Sequence, residues 1–134
     1  MEVPFVDLKA QYQTIREDID GAIRSILDGA NFVGGKPVKD FESAFAAAYG
    51  VKHVIGVANG TDAIYITMKM LGIGAGDEVI TTATSWISTS ETISQTGARV
   101  VFADIDPVTY TIDPAQIEKL ITPRTRAVIP VHLY

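Results

Sequence analysis

His53-Val54-Ile55-Gly56-Val57-Ala58-Asn59-Gly60-Thr61-Asp62-Ala63-Ile64-Tyr65-Ile66-Thr67-Met68-Lys69-Met70-Leu71 is the stretch on which the fold turns. Its first six residues form a short apolar run and read as a buried strand. The run breaks at Asn59-Gly60, and an Ala/Ile/Met-rich helical segment starts at Thr61. A strand that passes through a glycine turn into a helix aims free backbone N–H groups and the positive end of a helix dipole at one spot. An anion, most often a phosphate, is the natural occupant of such a spot. The ordinary structural alternative is a tight βα turn in which Thr61 or Asp62 merely satisfies the helix N-terminus. The turn alone does not choose between the two.

Upstream, Leu8, Tyr12, Ile15, Ile19, Ile23 and Ile26 recur at steps of three and four, which predicts one amphipathic helix ending near Asp28-Gly29. Gly29 to Pro37 is glycine-rich and reads as loop. Pro37 opens a second helix whose apolar stripe is Val38, Phe41, Phe45 and Tyr49, with Gly50 as its stop. Downstream, Gly74-Ala75-Gly76-Asp77 makes a tight loop into a strand at 78–82, and the hydroxyl-rich Thr81 to Ser85 leads into a loop. A helix over about 87–96 closes at Gly97, and a third strand follows over 99–103. Asp113 caps a helix that Pro114 opens and that ends by Pro123, and a fourth strand spans 127–131. Strands alternating with helices at short connections predict right-handed crossovers and a mostly parallel sheet with helices on both faces. The last strand reads as central, so an uncovered sheet edge points to the N-terminal part of a longer protein.

The composition suits a globular core: 134 residues, 47% hydrophobic and 20% charged. A net charge of −5 argues against general nucleic-acid binding, and the absence of cysteine removes disulfides and thiolate metal sites. Met1-Glu2-Val3-Pro4 lacks the features of a signal peptide, and no apolar stretch approaches the length of a membrane span. The expectation is therefore a cytoplasmic protein without membrane or nucleic-acid partners.

In such a sheet, ligands sit beyond the C-terminal strand ends. Trp86, the only tryptophan, lies in a polar loop at one of these ends, where an aromatic ring can stack on a flat cofactor. Taken alone, an isolated tryptophan is slightly better explained by a core role, but a phosphate turn one βα unit earlier favours stacking. Asp104 and Asp106 read as turn chemistry rather than an acid pair. His53 and His132 have no second ligand at metal spacing, so no metal site is expected. Neither a dinucleotide fingerprint nor a Walker motif is present, which argues against a sugar-nucleotide oxidoreductase.

Taken together, the segments resemble the DegT/DnrJ/EryC1/StrS family of pyridoxal-phosphate sugar aminotransferases. The resemblance rests on Phe5-Val6-Asp7-Leu8-Lys9, Ala58-Asn59-Gly60-Thr61-Asp62-Ala63, Gly72 to Thr81, Asp104-Ile105-Asp106-Pro107, Ile121-Thr122-Pro123-Arg124-Thr125 and Ile129-Pro130-Val131-His132-Leu133-Tyr134. Asn31-Phe32-Val33-Gly34-Gly35 is similar to the family's glycine loop, which more often carries Leu-Gly-Pro where this chain has Val33-Gly34-Gly35. Six such segments in the right order span nearly the whole chain.

The resemblance implies the N-terminal part of the large domain of a fold-type I transferase. Residues 1–35 are then an N-terminal helix and glycine-rich loop, and residues 36–134 the first part of the cofactor-binding α/β domain. It further implies that the backbone at Gly60 and Thr61 holds the phosphate of pyridoxal 5′-phosphate and that Trp86 stacks on its ring. The implied reaction moves an amino group, with glutamate as donor, to a nucleotide-linked keto-sugar, in a homodimer. The Schiff-base lysine and the aspartate that protonates the pyridine nitrogen fall beyond Tyr134. None of Lys9, Lys36, Lys39, Lys52, Lys69 or Lys119 stands in the lysine's context, so no catalytic residue is assigned here and the chain alone is expected to be inactive. The competing expectation is a non-catalytic α/β module that binds a phosphorylated ligand for regulation.

Overall fold

The computed structural model describes residues 4–133. Met1-Glu2-Val3 of the N-terminal reading and Tyr134 of the closing motif lie outside the described residues. Between Gly56 and Val57 the chain divides into two compact units.

The first unit is helical: α1 (Leu8–Thr14), α2 (Arg16–Gly29) and α3 (Lys36–Tyr49). The single N-terminal helix expected from periodicity is thus two helices, broken at Ile15 (φ −124°, ψ 16°). The Thr14 hydroxyl donates to the Gln11 carbonyl at 2.7 Å, and this local bond, next to β-branched Ile15, competes with continuation of the helix. Across the break the Tyr12 hydroxyl donates to the Asp20 carboxylate, which also accepts from Arg16 Nε at 3.3 Å. Asp7 caps α1 through Ala10 N–H at 2.8 Å. Pro37 lies in the first turn of α3, and Gly50 ends it in the left-handed conformation (φ 63°), as the sequence predicts. Along α3 the rings of Phe41, Phe45 and Tyr49 pack in succession, with centroids 5.6 and 4.5 Å apart. The three helices bury no residue, so their apolar stripes, including Ile23 and Phe41, stay exposed.

The second unit runs α4 (Gly60–Met70), β1 (Glu78–Thr82), α5 (Ser88–Thr96), β2 (Arg99–Ala103), α6 (Pro114–Leu120) and β3 (Thr125–Ile129). The sheet is parallel in the order β2-β1-β3, with Val79 opposite Val100 and Ala127, and Ile80 opposite Val101 and Val128. All five residues of β1 are buried, so successive side chains feed two cores. On one face Val79 joins Met68 of α4, Ile93 of α5, Ile73 and Ala98. On the other, Ile80 joins Ala103 and Ile112, with Ile117 and Leu120 of α6 against them. Helices therefore cover both faces. Asp113 caps α6 through Ala115 N–H at 2.8 Å, with Pro114 at its first position.

Two expectations are corrected. Residues 53–58 form no strand: a strand needs a neighbour to receive its ladder bonds, and among the described residues none pairs with this segment. Only the Gly56 N–H is held there, by Glu42 Oε1 at 2.7 Å. The last strand spans Thr125–Ile129 rather than 127–131, because pairing with β1 and not the apolar run sets its limits. It lies at an edge of the described sheet, with β1 at the centre, since β1 alone has a partner on both sides.

At the N-terminal ends of the strands Glu78, 3% exposed, accepts from the Thr122 hydroxyl at 2.6 Å and from Arg124 Nη2 at 2.7 Å. Arg99 Nη1 stands 3.5 Å away. The Thr122 hydrogen bond first, and then Arg124, hold the Glu78 carboxyl below the ordinary glutamate value. Gly76, at φ +93°, closes the tight loop that leads into this end of β1.

Candidate phosphate-binding site

The candidate site lies at the opposite, C-terminal end of β1, where the connections to α4 and α5 meet. Asn59 is extended (φ −165°, ψ 177°), and its side-chain oxygen accepts from Asp62 N–H at 2.9 Å. Its carbonyl accepts from Ala63 N–H at 3.1 Å. The capping task that the sequence left to Thr61 or Asp62 thus falls on Asn59, a favoured N-cap residue whose position before Gly60 was signal enough to find it. With those two N–H groups engaged, the N–H groups of Gly60 and Thr61 have no acceptor among the described residues. No heavy atom lies within 4 Å of where a side chain at Gly60 would begin, so the turn is uncrowded on that side.

The Thr61 hydroxyl lies 2.8 Å from the hydroxyl of Ser88, the first residue of α5. This bond joins the N-termini of α4 and α5, which pack side by side. The cap position of α5, Ile87, offers no side-chain acceptor, so α5, unlike α4, has no side-chain cap. Two positive helix ends therefore converge near the C-terminal end of β1.

Trp86 sits in the loop between β1 and α5 and is 76% exposed, outside both cores of the described residues. The loop is held by Thr84 N–H to Thr82 Oγ1 at 3.2 Å and Ser85 N–H to the Ala83 carbonyl at 3.0 Å. The Trp86 carbonyl accepts from Thr89 N–H at 3.3 Å, and the Ser85 and Thr89 hydroxyls lie 3.3 Å apart. Ser88 is two residues beyond Trp86, so its bond to Thr61 brings the tryptophan loop beside the Gly60-Thr61 turn. Ser88 escaped the sequence reading because its partner lies 27 residues away and nothing local marks the pair.

The acidic residues after β2 behave as turn formers. Asp104 Oδ1 accepts from Ile105 N–H at 2.8 Å, and Asp106 Oδ1 accepts from the N–H groups of Val108 and Thr109, each at 2.8 Å. The Thr109 and Val108 backbone bonds, in that order, hold the Asp106 carboxyl below the usual aspartate value. His53 and His132 are both exposed.

A parallel α/β unit with open N–H donors at a helix N-terminus, and an exposed aromatic loop beside them, is an arrangement that suits an anion. The chain belongs to the DegT/DnrJ/EryC1/StrS aminotransferase family, which matches residues 13–134. It is 46% identical to a pleiotropic regulatory protein of Geobacillus stearothermophilus over 134 residues, all of this chain and 36% of that protein. It is 45% identical to the UDP-2-acetamido-2-deoxy-3-oxo-D-glucuronate aminotransferase of Pseudomonas aeruginosa over 132 residues, 98% of this chain and 37% of that one. The structure of NtdA from Bacillus subtilis with bound cofactor PMP superposes with a TM-score of 0.93 at 36% identity, covering 99% of this chain and 31% of that one. The chain thus spans little more than a third of the length of these curated relatives. The shared fold is the α/β fold expected from the resemblance, that of the fold-type I transferases.

Proposed function

We propose that this chain is the N-terminal, phosphate-anchoring part of a pyridoxal-phosphate-dependent aminotransferase. The enzyme transfers an amino group from glutamate to a nucleotide-linked keto-sugar, for cell-surface polysaccharide or secondary-metabolite biosynthesis. The observation that carries this reading is the pair of open N–H groups at Gly60 and Thr61, in a chain of this family. Family membership, with an aminotransferase among the close relatives, favours it over a purely regulatory module.

The donors present fit the cofactor's phosphate. Two N–H groups and the Thr61 hydroxyl supply hydrogen bonds, the dipole of α4 supplies positive potential, and Gly60 leaves room for the anion. When bound, the cofactor supplies the electron sink that amino transfer requires. The chain's own residues then do three things. Gly60 and Thr61 hold the phosphate, Trp86 covers one face of the ring, and the loop bonds around Ser85 and Thr89 keep Trp86 in place.

The boundaries follow the same reading, with residues 1–35 as the N-terminal helical and glycine-loop segment and residues 36–134 as the start of the large domain. We place the lysine that anchors the cofactor and the aspartate that protonates its ring nitrogen in the part of the relatives' length that this chain does not span. The assembly is a homodimer in the cytoplasm. The 134 residues alone are then inactive: borohydride added after pyridoxal 5′-phosphate labels no single lysine. Specific labelling of one of the six lysines overturns that point.

The test of the reading itself uses the protein as expressed from its gene, with glutamate and a panel of UDP- and dTDP-linked keto-sugars. Amino transfer is expected, together with loss of pyridoxal 5′-phosphate binding in Gly60→Asp, which puts a carboxylate in the anion's space. Retention of full affinity in that variant refutes the site.

A further inference from the structure

Ser88 is 7% exposed, and a buried hydroxyl must find a partner. The other buried hydroxyls in the body of α5 find theirs on their own helix: Thr92 donates to the Ser88 carbonyl at 2.7 Å, and Thr96 to the Ile93 carbonyl at 2.7 Å. Ser88, in the first turn, has no preceding helical carbonyl to reach, and its hydroxyl instead meets Thr61 of α4 at 2.8 Å. Two hydroxyls share one hydrogen between their oxygens and keep a second for another partner. At the Gly60-Thr61 turn that partner, on the function proposed above, is a phosphate, which accepts only.

We propose that Ser88 is a positioning residue for the cofactor phosphate. Its hydroxyl donates to Thr61 Oγ1, which turns the Thr61 hydrogen toward the anion and polarises that bond. Several features place Ser88 as the support and Thr61 as the contact. Ser88 is buried and Thr61 half-buried. Thr61 also shares the turn with the two open N–H groups, and the Ser88 carbonyl is engaged by Thr92, which is fully buried. Hydrogen bonds linked in this way strengthen one another. The proposal rests on the phosphate-anchor reading and adds a residue that makes no contact with the ligand.

The experiment measures the affinity of the cofactor-free protein, as expressed from its gene, for pyridoxal 5′-phosphate and for pyridoxal. The variants are Ser88→Ala, Thr61→Val, both together, and Ser88→Thr, with thermal melts to confirm folding. Thr61→Val is expected to weaken pyridoxal 5′-phosphate binding about tenfold, as for loss of a hydrogen bond to a charged group. Ser88→Ala is expected to weaken it about three- to fivefold in the wild-type background and not at all in Thr61→Val. Pyridoxal affinity stays unchanged in every variant, and Ser88→Thr, which keeps the hydroxyl, binds like wild type. An effect of Ser88→Ala that persists in Thr61→Val, exceeds that of Thr61→Val, or extends equally to pyridoxal overturns the positioning role, as does no effect at all. If the wild-type protein binds pyridoxal 5′-phosphate no better than pyridoxal, the phosphate-anchor reading itself fails. If the wild type discriminates and Ser88→Ala discriminates equally well, only the positioning role falls.

Discussion

Replacing Trp86 by alanine separates a cofactor-facing aromatic from a structural one. The side chain is 76% exposed, so its removal takes almost nothing from the core. Substitutions of this kind change stability by no more than about 0.5 kcal/mol. Ring stacking is a different matter. A tryptophan offers about 150–250 Å² in all, and one open face about 75 Å² of it, so covering that face at about 25 cal/mol per Å² contributes up to about 2 kcal/mol. Trp86→Ala should therefore weaken pyridoxal 5′-phosphate binding about five- to thirtyfold while leaving the melting temperature nearly unchanged. Trp86→Phe, which keeps a flat ring, should recover most of the affinity. Trp86 is the sole tryptophan of these 134 residues, so the fluorescence that Trp86→Ala removes is its own, and that component should be quenched as the ligand is added to the wild-type protein. Unquenched fluorescence at saturation would refute stacking. So would a Trp86→Ala variant that melts far lower yet binds as before.

Two further outcomes follow from the geometry. Glu78 has a carboxyl depressed by Thr122 and Arg124, so the stability it contributes is fully present above the ordinary glutamate range and is lost as the pH falls through its lowered value. The difference in melting temperature between wild type and Glu78→Gln should therefore be largest above about pH 5 and shrink below about pH 4; a constant difference across that window contradicts the assignment. At the other end of the sheet, Asn59→Ala removes the cap of α4 and should cost about 1 kcal/mol in chemical denaturation. Asn59→Asp keeps the cap but adds negative charge beside the anion, so stability should hold while phosphate-dependent binding weakens; the reverse pattern would show that Asn59 is not the cap.

Much of this architecture was legible in the residues because the signals are local. Pro37 and Gly50 bracket α3, Asp113-Pro114 opens α6, and the strands expected at 78–82 and 99–103 are β1 and β2. Each depends on torsional preference or on periodicity within a few residues, which a single chain carries by itself. The Asn59-Gly60-Thr61 turn was readable for the same reason, and Asn59 as its cap should have been. The break at Ile15 was hidden because the 3.6-residue period runs straight through it, while the competing Thr14 hydroxyl bond depends on one rotamer.

The sequence by itself determined the α/β class, the family, and the place of the glycine turn that opens α4. The tertiary structure alone decided which apolar runs become strands. Residues 53–58 have strand composition but no described neighbour, whereas 125–129 pair with β1 and take their limits from it. It also decided which polar groups meet: Glu78 with Thr122 and Arg124 at one end of the sheet, Thr61 with Ser88 at the other. Backbone torsions answer to adjacent residues, but a ladder bond or a buried hydroxyl pair needs a partner from elsewhere in the chain, and only folding supplies it.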